Sequence, residues 1–362
     1  MIPVTKPYIP NFEKYSKYIQ RVNDSGWLTN FGPLHQELTA RLEDYLGVKN
    51  LLLVNNGTIA LQIAFKALNL NQKVLTTPFS FIATTSSLVW ENLAPDFVDI
   101  DSKSFCLDPK LLPSKPSSST SAVLGVHVYG NPTGSEELDS YCISHNLKMI
   151  YDGAHAFGIS KNGKSILTSG DATTLSLHAT KVFHTVEGGA IIFKRRSDFE
   201  VAKQIINFGF DDQKEVVRLG INAKLSEYHA AAGLVLLDEV DSILERRVKI
   251  LDQYHSHLKE LVQFPLWDKD ASQNGAYAPI LLSSESEVLT LIQKLHQEKV
   301  QTRRYFHPSL NEISISEKTA KCPISEDISR RVLCLPIFTS MSSDEVNHVI
   351  TSCKRALMEI RK

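Results

Sequence analysis

Residues 176–193 read SLHATKVFHTVEGGAIIF, and the single lysine among them, Lys181, decides how the chain is read. It follows a strand-like TTLSLHA and precedes Glu187-Gly188-Gly189, a turn that opens a second apolar run. Lysines are ordinarily solvated. A strand–turn setting shared with His178, Thr180 and Glu187 places this one at the edge of a sheet instead.

Outward from that stretch, short apolar runs alternate with segments of helical period. NLLLVN (50–55) reads as a buried strand, and GTIALQIAFKALNL behind it carries apolar residues at helical spacing. KVLTTPFSF and IATTSSLVWENL repeat the pair, and PDFVDI, AVLGVHVYG, EELDSYCISHN, LKMIYDG, TTLSLHAT and GGAIIFK continue it. This order predicts an α/β fold, a mostly parallel central sheet flanked by helices. The helical stretch 222–262 breaks the rhythm, and AYAPILL, SESEVLTLIQKLHQEKV, RRVLCLPIF and SSDEVNHVITSCKRALMEI follow as a smaller α/β unit. The expected division is a large domain over 1–238 and a small one over 239–362. SSDE (342–345) signals a helix start, with a serine oxygen accepting an orphan amide and acids at the positive end. PSKPSSSTS (113–121) reads as a surface connection.

Composition narrows the function classes. Lys+Arg 39 against Asp+Glu 40 leaves a net charge of −1, with no global basic field to gather nucleic acid. The 5 cysteines (Cys106, Cys142, Cys322, Cys334, Cys353) are scattered without CxxC spacing, so reduced thiols are expected and no metal site. The opening MIPVTKPYIPNFEKY has no signal-peptide pattern, and no apolar run approaches the ~20 residues of a membrane span. A cytoplasmic protein is expected.

Three features suggest chemistry. In NNGTIAL (55–61) a strand ends, Gly57 permits a tight turn and Thr58 opens a helix, a natural phosphate seat. A plain strand–glycine–helix turn has the same appearance. Neither GxxxxGK[ST] nor a GxGxxG after a strand is present, which disfavours nucleotide-binding folds. Asp152, in LKMIYDGAHAFG, stands at the carboxyl end of a strand, where open α/β sheets bind ligands. A turn aspartate reads alike, and His155 reads equally as a satisfied polar residue. Pyridoxal phosphate requires a phosphate cradle, an acid facing its ring nitrogen and a lysine for its aldehyde. Gly57/Thr58, Asp152 and Lys181 offer these in order, and a buried amine becomes a usable nucleophile.

The set NNGTIAL, PFSFIAT, VHVYGNP, YDGAHAFG, SLHATKVFHTVEGGA and GINAKLSEYHAAAG resembles the DegT family of nucleotide-sugar aminotransferases, fold type I pyridoxal phosphate enzymes. The likeness runs from GWLTNFGPLHQELTARLEDYLG (26–47) to LCLPIFTSMSSDEV (333–346). It implies that Lys181 joins the cofactor aldehyde and that Asp152 pairs with the ring nitrogen. By the same resemblance His155 stands beside the ring hydroxyl, Phe81 stacks on the ring, and Gly57, Thr58 and Ser176 contact the phosphate. Asn222 matches an asparagine that reaches the neighbouring subunit's phosphate, which implies a homodimer with shared sites. Thr29, Arg303, Arg304, Tyr305 and His307 are the expected substrate contacts, with glutamate as amino donor.

Two positions depart from the pattern. Val186 replaces a small residue before Glu-Gly-Gly, and NPTG (131–134) reads as a loop where the family has a turn. Glu187 is expected to shape its turn. TTPFSFIATTSSLVW and RRYFHPSL look most like the 4-aminotransferases that convert dTDP-4-keto-6-deoxyglucose to dTDP-4-amino-4,6-dideoxyglucose. A 3-keto-sugar aminotransferase is the alternative within the family, and a non-catalytic cofactor-binding regulator the alternative outside it. Sugar 3-dehydratases of this fold carry histidine in place of the lysine, so Lys181 argues against them.

Overall fold

The computed structural model describes residues 1–313 and 320–362. Two helices, α1 (Phe12–Ser25) and α2 (Pro33–Leu46), precede the sheet. β1 (Leu51–Val54), α3 (Gly57–Ala67), β2 (Lys73–Thr76), α4 (Ile82–Trp90) and β3 (Ala94–Phe97) follow. Then come β4 (Thr120–Val126), α5 (Ser135–His145), β5 (Lys148–Asp152), a short hairpin of β6 (Ser160–Lys161) and β7 (Lys164–Ser165), β8 (Ala172–Ser176) and β9 (Gly189–Phe193).

Seven of these strands form one sheet in the order β1-β9-β8-β5-β4-β2-β3. Its β8-β5-β4-β2-β3 portion is parallel throughout, while β9 runs antiparallel to both β8 and β1. The sheet is therefore mostly parallel, as expected. β2 stops at Thr76 rather than continuing through PFSF, because Pro78 has no N–H for the ladder. Pro95 is tolerated because β3 is an edge strand.

Period-two alternation divides the strands between two cores. Leu51, Leu53, Leu175 and Ile192 face Leu38 and Leu42 of α2, together with Ala231 and Leu234 of α7 (Glu227–Leu237). Leu52, Val54, Ile191 and Phe193 face Leu61 and Phe65 of α3, together with Ala202 of α6 (Arg196–Ile205). Both faces are covered, which is why β1 and β9 carry no polar side chain at any position.

α8 (Val240–Leu258) leaves this body: Val240 belongs to the first core, whereas Ile250, Tyr254 and Leu258 belong to another. That second core collects Ile280 of β10 (Pro279–Leu281), Leu291 of α9 (Glu285–Gln297), Leu333 of β11 (Val332–Cys334) and Val349 of α11 (Ser343–Ile360). α10 (Pro323–Arg331) precedes β11, and β10 pairs antiparallel with β11. α11 starts on a capping box in which Ser342 Oγ accepts from Glu345 N and the Glu345 carboxylate accepts from Ser342 N. Such a cap contributes about 1 kcal/mol.

All five cysteines are free and buried, with burial pushing each thiol up to about 12. No described helix is long and apolar enough to cross a membrane.

Candidate active site

The carboxyl ends of β4, β5 and β8, the start of α3 and the loop after β8 converge on one cavity of about 370 Å³. Asp152 is the last residue of β5 and is buried. Its Oδ2 accepts the Thr84 hydroxyl at 2.7 Å and its Oδ1 accepts Ala154 N at 3.1 Å, so the carboxylate is held from two sides. Ser80 Oγ lies 2.6 Å from Thr84 Oγ1 and extends the chain of hydroxyls.

Lys181 stands in a loop that closes on itself. Leu177 N donates to Gly188 O, Thr185 N to Leu177 O and Lys181 N to His178 O. The stem is half-buried along the cavity wall, yet its amine is enclosed enough for burial to lower its pKa, against opposing pulls from Asp152 and Tyr305. Nζ sits 6.0 Å above the ring centroid of Tyr277. At the mouth His178 Nε2 lies 3.6 Å from Glu187 Oε1. Val186 adopts φ +69°, the left-handed conformation that favours glycine, and its N–H donates to His184 Nδ1 at 3.2 Å. The loop thus keeps a glycine-like path with a β-branched residue in it.

α3 begins at Gly57, where Asn56 Oδ1 caps Ile59 N. A Cβ on Gly57 would meet the Ser176 Cβ at 2.9 Å, so only glycine lets the helix start lie against the end of β8. The result is a helix N-terminus with the Ser176 hydroxyl beside it and Thr58 at its edge, a seat for an anion.

His155 is buried, and its pKa is driven well below the usual value by desolvation and by the Lys181 charge. Nε2 lies 3.3 Å from the Tyr277 hydroxyl, and Nδ1 is buried without a partner. Phe306 stacks against the His155 ring at 5.8 Å between centroids. Phe81, the N-cap of α4, is exposed at the rim.

Gly57, Thr58, Phe81, Asp152, His155, Ser176, Lys181, Arg303 and Tyr305 all line this cavity. Four expected residues are not on its wall. Thr29 is exposed in the loop between α1 and α2. Asn222 is exposed and bridges to Asn207 at the base of the loop 208–221. Arg304 turns away to Glu285 at 2.7 Å and the Arg330 carbonyl at 2.9 Å, whereas Arg303 stacks over Tyr305 at 4.7 Å. His307 is exposed beyond them. In NPTG, Asn131 gives its amide to Leu266 O at 2.9 Å and its Oδ1 accepts from Thr133 and Asp268, so it ties a loop and does not reach the cavity.

Sequence reading missed Thr84, Tyr277 and Phe306. A signal existed for Thr84, since TTSS (84–87) sets polar residues inside an otherwise apolar helical run, although its partner was not marked. Phe306 was passed over inside RRYFHPSL, and Tyr277 arrives from distant chain with no local mark.

A model of the DegT/DnrJ/EryC1/StrS aminotransferase family matches residues 11–354. The dTDP-4-amino-4,6-dideoxy-D-glucose transaminase of Shigella dysenteriae is 36% identical over 97% of this chain and 98% of its own. The GDP-perosamine synthase of Escherichia coli O157:H7 is 29% identical over 97% of each. The crystal structure of DesI in the presence of its TDP-sugar product superposes with a TM-score of 0.93 at 31% identity, covering 99% of this chain and 94% of that one. With a matched segment running from the first helix into the last, the chain belongs to the DegT/DnrJ/EryC1/StrS aminotransferase family.

Proposed function

We propose that this aminotransferase uses pyridoxal phosphate to move the amino group of glutamate onto C4 of dTDP-4-dehydro-6-deoxy-D-glucose, giving dTDP-4-amino-4,6-dideoxy-D-glucose for deoxyamino-sugar glycans such as O-antigen. The carrying observation is the meeting of Lys181, Asp152 and the Gly57–Ser176 seat in one cavity of about 370 Å³. The likeness to the Shigella transaminase supports the choice of sugar.

The residues fit the cofactor. The glycine-dependent contact brings the start of α3 against Ser176 on the cavity wall, where Thr58 and Ser176 would donate to a phosphate. Asp152, clamped by Thr84 and Ala154 N, would pair with a protonated ring nitrogen, and the unpartnered buried Nδ1 of His155 would take a polar partner. Phe81 would cover one ring face. When bound, the cofactor supplies an aldehyde that captures amines covalently and a ring that delocalises an α-carbon electron pair.

The protein's part is proton transfer and orientation. Burial lowers the Lys181 pKa, which favours the uncharged amine needed for both nucleophile and base. Nζ removes the α-proton of glutamate in one half of the reaction and delivers a proton to the sugar carbon that receives nitrogen in the other. Arg303, free of Arg304's ion pair, is the cavity cation suited to an anionic substrate group.

The reading includes a homodimer that shares its sites. Exposed Trp27 and Leu28 in one loop, and Val216, Val217, Leu219 and Ile221 in another, support it, because clustered exposed apolar residues favour a covered surface. It also includes the division into 1–238 and 239–362, and action in the cytoplasm, which five unpaired thiols favour. The test is incubation with pyridoxal phosphate, glutamate and a panel of 3-keto and 4-keto dTDP-, UDP- and GDP-sugars, with products identified by NMR. An amine at C4 of the dTDP-sugar is expected; an amine at C3, or no product, overturns the reading.

A further inference from the structure

Tyr277 comes from the far side of the sequence, just before β10, and its ring enters the wall of the Lys181 cavity. Its placement is built rather than incidental. Asn274 Nδ2 donates to His155 O at 2.8 Å and to Phe157 O at 2.9 Å, pinning the Tyr277 loop to the loop that follows β5. From the other side Arg247 of α8 donates to Gly275 O at 2.9 Å and to Ala276 O at 3.2 Å. Gly275 takes φ +62°, and a Cβ there would meet the Arg247 backbone at 2.7 Å, so the clasp closes only over glycine.

The clasp delivers the Tyr277 hydroxyl to His155 Nε2 at 3.3 Å, with the rings edge-on at 4.6 Å between centroids. Phe306 lies parallel to the imidazole and fixes its plane. A neutral imidazole carries one proton, and whichever nitrogen accepts leaves the other as donor. Tyrosine is the donor in this pair, because burial holds its proton firmly and the same burial keeps His155 neutral.

We propose that Tyr277 is a positioning residue that holds His155 in its Nδ1–H tautomer, so that the unpartnered Nδ1–H is presented as a donor to the cofactor's ring oxygen. The inference rests on the pyridoxal phosphate reading for its consequence, but the tautomer itself belongs to the protein alone. A residue of the small unit's edge thereby sets the direction of a hydrogen bond at the end of the large sheet.

The test has two arms. Long-range proton–nitrogen NMR of ring-labelled histidine in cofactor-free protein, with the His155 signal assigned by its loss in His155→Gln, reads the tautomer directly. Nδ1–H is expected in the wild type, and Tyr277→Phe, which keeps the ring, should lose that preference. A wild-type Nε2–H form, or an unchanged tautomer in Tyr277→Phe, overturns the proposal. In the second arm pyridoxal phosphate affinity is measured by equilibrium dialysis. Loss of this one hydrogen bond in Tyr277→Phe should weaken binding about three- to tenfold. The loss should vanish in a His155→Gln background, where Tyr277 has no imidazole to orient; equal losses in both backgrounds overturn the proposal. A wild type that binds no cofactor would overturn the functional reading instead, and the first arm would still decide the tautomer.

Discussion

The Thr84 hydroxyl donates to Asp152 Oδ2 at 2.7 Å, joining the buried face of α4 to the last residue of β5. Both groups are buried, so neither has water as an alternative partner. Thr84→Val keeps the shape and removes the donor. Cofactor affinity should fall about fivefold, the equivalent of about 1 kcal/mol for one such hydrogen bond. Dialysis against pyridoxal phosphate reads it; unchanged binding would mean that Ala154 N alone suffices to orient the carboxylate.

Lys181→Ala should remove the visible absorbance of the protein–cofactor complex and all turnover. A variant that keeps both dismisses Lys181 from its role. Asp152 raises the Lys181 pKa while burial lowers it. Asp152→Asn removes the raising charge, so in cofactor-free protein the amine pKa should fall further. Its trinitrophenylation by trinitrobenzenesulfonate, in which sulfite leaves the ring, should then speed up at a lower pH than in wild type; a move to higher pH contradicts the assignment.

Adjacent arginines should behave differently. Arg303 lines the cavity, whereas Arg304 is committed to Glu285 and the Arg330 carbonyl. Arg303→Ala should raise the KM for the nucleotide-sugar about tenfold, the scale of a lost charge-assisted hydrogen bond. Arg304→Ala should leave KM within about twofold and lower stability by at most about 1 kcal/mol, since its ion pair is partly solvated. Steady-state kinetics on both variants separates them, and a reversed order refutes the geometry.

Acid should destabilise the fold through two buried histidines. Burial lowers His35 and His127 from 6.5 to about 4. Between those values the unfolded chain binds a proton at each site that the folded chain does not. Stability therefore falls as pH falls through this window, by at most about 3 kcal/mol per histidine. His127 stacks on Tyr151 at 4.5 Å, so His127→Phe keeps the stack and removes one titration. Urea midpoints at pH 7.5 and 5 should differ less in the variant than in the wild type; an equal difference would exclude His127.

The places of Lys181, Asp152 and Gly57 were legible because Asp152 ends β5, Gly57 opens the helix after β1 and Lys181 lies in the loop after β8, and such junctions are written in their neighbours. The apolar run, the glycine and the break in pattern are local, as is the capping box at Ser342. Arg303 and Arg304 were not separable in RRYFHPSL, because only the position of α9 decides which one meets Glu285. The same holds for Asn131, whose loop partners Leu266 and Asp268 lie far along the chain.

What the chain alone determined, then, is which backbone segments are strands and helices and which reactive groups sit at their ends, since dihedral preference and period act over a few residues. The folded body decided the antiparallel direction of β9, the arrival of Thr84, Tyr277 and Phe306 around Asp152 and His155, and the clasp of Arg247 on Gly275. GGAIIF is equally apolar in either direction, and a tyrosine before a short strand carries no mark of the histidine it will face. Those meetings follow from which faces pack together, and packing is a property of the whole chain.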